Sequence, residues 1–212
     1  MILRDEAHCI ARTLESAAPY VDRYCVLDTG STDGTQDLVR ATMAAHHIPG
    51  EVHAGPFTDY ATTRNQCADL AGTLEPFVLW LDADDVLVRG DSLRFLLGVA
   101  PGCSCFQLEQ RWPNREPLWV PRVVRTGCGW RYRGRVHEIL EHASERPVNL
   151  VGPWLRHHPS AIGAARSRAR WPNDVRVLGE MLIEDPHDER AREHLDLTLA
   201  ALAVSDSREG YT

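Results

Sequence analysis

The sequence predicts an α/β protein with a mostly parallel sheet in its first half, longer irregular strands in the middle and a helical hairpin at the end. Three observations carry this. Short apolar runs alternate with helix-length patterns up to about residue 100. Two of the runs stop abruptly at an aspartate, Asp28 and Asp82. From Ala161 onward apolar residues recur at helical spacing, first Val175, Leu178 and Leu182, then Ala191, Leu195, Leu199 and Leu202, with Pro186 between the stripes.

The elements follow in order. Ile2-Leu3 begins a strand, and residues from about 8 to 17 read as a helix. Tyr24 to Leu27 is an apolar run of the kind that forms a buried strand. The stretch Asp28-Thr29-Gly30-Ser31-Thr32-Asp33-Gly34 is turn chemistry, after which Thr35 can cap a helix running to about Ala45, with Asp37 in its first turn. Pro49-Gly50 breaks the chain before a short strand at Glu51-Val52-His53. Thr58 or Asp59 can cap a helix to about Ala71, and Phe77 to Leu81 is a fourth strand. Asp91 caps a short helix to about Val99, and segments 103–110 and 118–125 are strand-like. In residues 130–142 bulky and charged side chains alternate, as in strands around a site. In a sheet of this kind ligands bind at the carboxyl ends of the strands, where Asp28 and Asp82 stand.

Composition narrows the class. With 43% hydrophobic and 25% charged residues the 212-residue chain is neither disordered, collagen-like nor a coiled-coil rod. Its longest apolar runs are too short to span a bilayer. The first residues, Met1 to Glu6, lack the pattern of a secretory signal, so a cytoplasmic location and no transmembrane association are expected. All 23 basic residues are Arg, and 13 of them, against six acidic residues, fall within residues 101–176. The net charge of −7 argues against indiscriminate nucleic-acid binding, while the basic middle leaves room for a phosphate-bearing ligand or is a solvated face. Six cysteines without a CxxC pair read as buried free thiols.

The strongest chemical signal is Leu79-Trp80-Leu81-Asp82-Ala83-Asp84-Asp85, an apolar strand that delivers three carboxylates within four residues. Crowded like charges are costly without a counter-ion, and a divalent cation with oxygen ligands relieves them. The bland alternative is an acidic turn capping the next helix. The loop from Asp28 to Thr35 is a second candidate, because a strand-end carboxylate can accept hydrogen bonds from a base or ribose.

These residues carry a resemblance. Arg4-Asp5-Glu6-Ala7, the run from Val26 to Thr35, Arg64-Asn65 and Leu79 to Asp85 resemble the ordered motifs of family 2 glycosyltransferases. The segment Tyr132-Arg133-Gly134-Arg135-Val136-His137-Glu138 is similar to the GxVHE segment of bacterial members, and the tail resembles the start of a tetratricopeptide extension. The resemblance implies a GT-A catalytic domain over residues 1–160, with a Rossmann-like mixed sheet, and a helical tail packed on it over 161–212. It implies transfer of a sugar from a nucleotide-sugar donor, a UDP-sugar above all, to a hydroxyl acceptor with inversion, and a requirement for Mn²⁺ or Mg²⁺.

It also implies roles. Asp28 contacts the base, with Asp5, Glu6 and Asp33 lining that pocket. Arg64 and Asn65 lie near base, ribose or diphosphate. Asp82 touches the ribose, Asp84 ligates the metal, and Asp85 supports the loop. Glu138 is the general base, or else a surface charge paired with Arg133 or Arg135. His157 is a further metal ligand, with His158 and His137 as alternatives. Trp130, Tyr132 and His137 form the acceptor side, where the acceptor is a protein, a glycan or a hydroxymethylated DNA base. The rival readings are a nucleotidyltransferase, disfavoured because Arg4 to His8 stands where a Gly-rich basic loop would be, and a non-catalytic module that binds a nucleotide sugar or a partner.

Overall fold

A computed structural model describes residues 1–209; residues 210–212, the end of the expected tail, lie outside the described residues. In chain order the elements are β1 (Ile2–Leu3), α1 (Ile10–Ala17), β2 (Tyr24–Asp28), α2 (Thr35–Ala45), β3 (Gly50–Ala54), α3 (Tyr60–Ala71), β4 (Phe77–Leu79), β5 (Asp85–Val88) and α4 (Leu93–Gly98). There follow β6 (Cys105–Trp112), β7 (Arg115–Arg125), β8 (Arg131–Arg133), β9 (Ile139–Glu141), β10 (Val148–His157), α5 (Ala161–Glu184) and α6 (Glu189–Glu209). The chain divides into two compact units. The first holds Met1–Arg133 and Ile139–His158, and the second holds Gly134–Glu138 and the residues from Pro159 onward.

The first unit contains the sheets. β1, β2 and β3 form a parallel sheet, as the alternation of strands and helices predicts. The parallel expectation fails at β4, which pairs antiparallel with β7 in a mixed sheet of order β4-β7-β6-β10-β5. The reason is local. β6 and β7 are joined by a tight turn and pair antiparallel along most of their length, so β7 covers the edge that receives β4. Three apolar clusters stabilise the unit. One, around Phe106, Leu108 and Leu155, lies on the mixed sheet; another joins α1 to β2 and α2 through Ile10, Val26 and Val39. The third gathers Leu27, Trp80, Trp130 and Tyr132. A cavity of about 530 Å³ is lined by Tyr24 to Val26 of β2 and Phe77 to Leu79 of β4, and none of Asp28, Asp82 and Asp84 lines it.

Several boundaries differ from expectation. α2 is capped by Gly34 in a left-handed conformation (φ 86°), a position that favours glycine, and Thr35 is its first residue. Asp59 caps α3, accepting from the Thr62 N–H at 2.7 Å. β4 ends at Leu79, two residues early, although the Trp80 N–H still bonds to β7 before the chain turns at Ala83-Asp84. Asp91 lies in a 3-10 turn, Gly90–Ser92, ahead of α4. All six cysteines are free, with Cys9, Cys67 and Cys105 buried.

The second unit is the expected hairpin of α5 and α6, together with a five-residue segment from the middle of the chain. Asp185 and Asp188 shape its turn: Asp188 Oδ1 accepts from the Ala191 N–H at 2.8 Å, and Asp185 Oδ1 from the His187 N–H at 3.0 Å. The buried stripe is shifted from the expected one. Val177 and Leu178 are buried in α5, whereas Val175 is half-buried. Leu199 is 46% exposed, and Thr198 takes the inward position by returning its hydroxyl to the His194 carbonyl at 2.7 Å. No helix among the described residues is long and apolar enough to cross a membrane.

Candidate active site

The turn between β4 and β5 gathers the acidic residues. Trp80 N–H donates to the Arg122 carbonyl at 2.7 Å, which prolongs the β4–β7 ladder, and Asp85 N–H donates to the Asp82 carbonyl at 3.1 Å, which closes the turn. From α1, Thr13 Oγ1 donates to the Ala83 carbonyl at 2.6 Å and fixes the turn from below. β5 then pairs antiparallel with β10, and its register sets His157 directly opposite Asp85. His158 N–H continues that ladder by donating to the Asp84 carbonyl at 2.8 Å. Sheet register therefore brings an imidazole from far along the chain to the acidic turn.

The three carboxylates have different surroundings. Asp82 Oδ1 accepts from Arg64 at 2.8 Å and its Oδ2 from Arg122 at 2.6 Å, with about a third of its side chain exposed. Burial would raise its pKa, but the two guanidinium groups outweigh that and hold it well below the usual carboxylate range. Asp85 is fully buried and bonded to Gln110 at 2.7 Å, Arg122 at 3.3 Å and His157 Nδ1 at 3.2 Å. Asp84 has no guanidinium partner among the described contacts and lies 3.5 Å from His157 Nδ1. Burial, reinforced by the charges of Asp85 and Asp82 and opposed by His157, pushes Asp84 up to about 6. At His157 burial works downward, but the bond to Asp85 and the charge of Asp84 prevail and raise its pKa. Ligand atoms of Asp84, Asp85 and His157 all lie within 4.8 Å of one another.

A second cluster joins the β1–α1 turn to the β2–α2 loop. Asp5, at φ 54°, donates its N–H to Ser31 Oγ at 2.8 Å and accepts from the Thr32 N–H at 2.7 Å. Glu6 N–H donates to Thr35 Oγ1 at 2.8 Å, and Ala7 N–H to Asp33 Oδ2 at 3.0 Å. Asp28, expected on the base, is buried and both of its oxygens are engaged within the loop. They accept from Ser31 N–H at 3.0 Å, Gly30 N–H at 3.2 Å, Gln36 Nε2 at 2.7 Å and the Ser31 hydroxyl. Burial would raise Asp28, but these donors lower it below the ordinary value. Asp33 likewise spends its other oxygen on the Thr35 N–H and hydroxyl. In this arrangement Asp28 and Asp33 shape the loop. Glu6, His8 and Cys9 form another group of possible ligands, in which burial and a 3.3 Å bond to Glu6 push the Cys9 thiol up to about 12.

Other expected residues have structural duties. Asn65 clasps the backbone of Tyr132, donating to its carbonyl at 3.0 Å and accepting from its N–H at 2.9 Å. Tyr132, expected on the acceptor side, is buried edge-on against Trp80 with Arg64 over its ring at 5.3 Å. Trp130, expected there too, is buried, and its indole N–H donates to Ser104 at 2.7 Å. Both rings are buried in the third apolar cluster, where their area leaves water. His137 and Glu138 belong to the second unit. His137, expected on the acceptor side, stacks on His194. Arg135 pairs with Glu180 and Glu184, and Arg133 lies 3.6 Å from Glu141.

Residues 1–100 match Glycosyl transferase family 2. A TPR repeat-containing protein of Synechococcus elongatus is 39% identical over 201 residues, which cover 89% of this chain and 48% of that protein. The chain thus spans about half the length of this curated relative. Among solved structures, S. aureus TarS 1-349 is similar with a TM-score of 0.54 at 13% identity, over 93% of this chain and 68% of that one. The same protein in complex with UDP gives 0.54 and 13% over 93% and 70%. The shared architecture is the mixed α/β GT-A fold, and the chain has a helical C-terminus.

Two residues bonded to the acidic turn stand outside the expected site residues. Arg122 links Asp82 to Asp85, and Gln110 fixes Asp85. Each had a signal. Phe106, Leu108 and Gln110 share one face of a strand, so Gln110 continues an inward row with a polar group. Arg122 interrupts an apolar run between Pro121 and Val123.

Proposed function

We propose that the chain transfers a sugar from a UDP-sugar to a hydroxyl acceptor, with inversion at the anomeric carbon and with Mn²⁺ or Mg²⁺ bound at Asp84 and His157. The observation that carries this is the convergence of Asp84, Asp85 and His157 at the carboxyl end of β4, beside an Asp82 held ionised by two arginines. The donor set fits a divalent cation. Two carboxylates and an imidazole are suitable ligands, and the ionised Asp82 beside them adds a like charge that a cation relieves. When bound, such an ion offsets the charge gained by a departing diphosphate.

The residues of the chain do the rest. Asp82, oriented by Arg64 and Arg122, presents its exposed edge to a ribose hydroxyl. Asp85 orients the His157 ring through its 3.2 Å bond. The clasp of Asp5, Asp28 and Asp33 fixes the loop that receives the base. Glu138, by its place in the GxVHE-like segment, takes the proton from the acceptor hydroxyl. The freed oxygen pair attacks the anomeric carbon as the bond to the diphosphate breaks. The family match and the UDP complex of TarS support the donor class. Protein, glycan or hydroxymethylated DNA base remain the acceptor classes, and the cytoplasm, where nucleotide sugars are made, is the setting.

The test is a panel of UDP-, GDP- and dTDP-sugars incubated with the purified chain, with Mn²⁺ or with EDTA, reading release of nucleoside diphosphate. UDP release that EDTA abolishes is expected, and Asp84→Ala should lower turnover by about 10²- to 10³-fold without shifting the thermal midpoint. Wild-type turnover in that variant removes the role given to Asp84. No release from any donor makes the chain a binding module.

A further inference from the structure

The segment that carries Glu138 is built into the helical unit. Gly134 (φ 95°) and His137 (φ 50°) are both left-handed, a conformation that a non-glycine residue keeps only when its surroundings hold it. The surroundings are residues of α5 and α6. Arg190 donates to the His137 carbonyl, and its guanidinium lies over the bare Cα of Gly134, where a Cβ would have to displace it. The His137 ring stacks on His194 with centroids 4.3 Å apart and planes 6° from parallel. Arg135 reaches Glu180 at 3.4 Å and Glu184 at 3.1 Å, two carboxylates one turn apart on α5. Val136, between them, is 5% exposed. Gly134, Arg135, Val136 and His137 are thus each held within the helical unit, and Glu138 is the next residue.

We infer that the helical hairpin is a mount for the catalytic segment, with Arg190 and His194 as positioning residues that fix the Glu138 carboxylate through His137. This rests on the reading of Glu138 as the base. A short segment between two strands samples many conformations unless it is tied, and misplacement of a base by an ångström weakens proton transfer. Arg190 grips the backbone one residue before Glu138, and the stacked ring removes the freedom of the same residue's side chain. Both imidazoles are pulled below the ordinary histidine value, by burial first, which suits a neutral stacked pair.

The experiment uses the full chain and the donor that the panel selects. Arg190→Ala should lower kcat about 10- to 100-fold while donor KM stays within about twofold, and added guanidine should restore part of the loss. Arg190→Lys, which lacks the planar fork, should fall between the two. His194→Ala should lose kcat, and His194→Phe, which keeps a flat ring for the stack, should recover most of it. Amide exchange across residues 136–139, read in the same variants, should quicken about tenfold in Arg190→Ala. Should Arg190→Ala fail to fold, Arg190→Lys and the two His194 variants carry the test. Wild-type kcat together with wild-type exchange in the foldable variants overturns the inference. Glu138→Gln separates the two claims. If it keeps wild-type turnover, the base lies elsewhere, and exchange alone then decides whether the helices hold the segment.

Discussion

At the scale of single residues, the chain shows how burial and hydrogen bonding divide similar carboxylates among different tasks. Asp28 is buried more completely than Asp84, yet its acidity moves the opposite way. Ser31, Gln36 and Gly30 donate to Asp28, whereas Asp84 is crowded by Asp82 and Asp85. The Asp28 bonds have a consequence for stability. Because its folded pKa is depressed, its contribution is present above the ordinary carboxylate value of about 3.9 and is lost as pH falls through the lower folded value. Asp28→Asn should therefore cost about 1–3 kcal/mol at pH 7 by misaligning a donor against the Ser31 and Gly30 N–H groups. Urea unfolding at a series of pH values should show that gap narrowing below about pH 4. A gap equally wide at pH 7 and at pH 3 would contradict the account of this loop. The identity of such residues was legible in the sequence, since Asp28, Asp82 and Asp84 stand at strand ends. Their partners were not. Arg122 lies 40 positions from Asp82, and its bond depends on strand pairing that no local pattern encodes.

At the scale of elements, the first half of the chain was readable because each strand and helix there is set by local chemistry. Asp59 caps α3, Gly34 permits the turn into α2, and apolar runs make β2 and β4. What local pattern could not supply was partnership. β4 looks like a parallel strand in isolation, and only the β6–β7 hairpin makes it antiparallel. Asn65 is a similar case: it reads as a ligand-binding side chain and in fact serves as a strand neighbour for Tyr132. Its amide supplies one donor and one acceptor to the backbone of a single residue, as a β-partner would. Asn65→Ala leaves the N–H and carbonyl of a buried residue without these bonds. It should destabilise the fold by about 1–3 kcal/mol in chemical denaturation, with β8 exchanging its amides faster than β2. A stability change within about 0.5 kcal/mol would mean the clasp is incidental.

At the scale of the whole molecule, the charge asymmetry has a partly internal explanation. The arginine-rich middle is not simply a face for phosphates. Arg122 is buried against Asp82 and Asp85, Arg111 lies over Trp154 at 4.1 Å and Arg115 over Trp112 at 3.5 Å. The arginines of this middle segment are largely paired with aromatic rings or carboxylates of the fold. The helical tail changed meaning too. Its apolar periodicity was visible in sequence, but its hold on Gly134 to His137 joins residues some fifty positions apart. The central claim is that the acidic turn serves the donor through a bound cation. Titration of Mn²⁺ into the chain with UDP present, following the free-ion signal by electron paramagnetic resonance, tests it most directly. One ion taken up per chain, and lost in Asp84→Ala, is the predicted result; no uptake with UDP, or equal uptake by that variant, would contradict it.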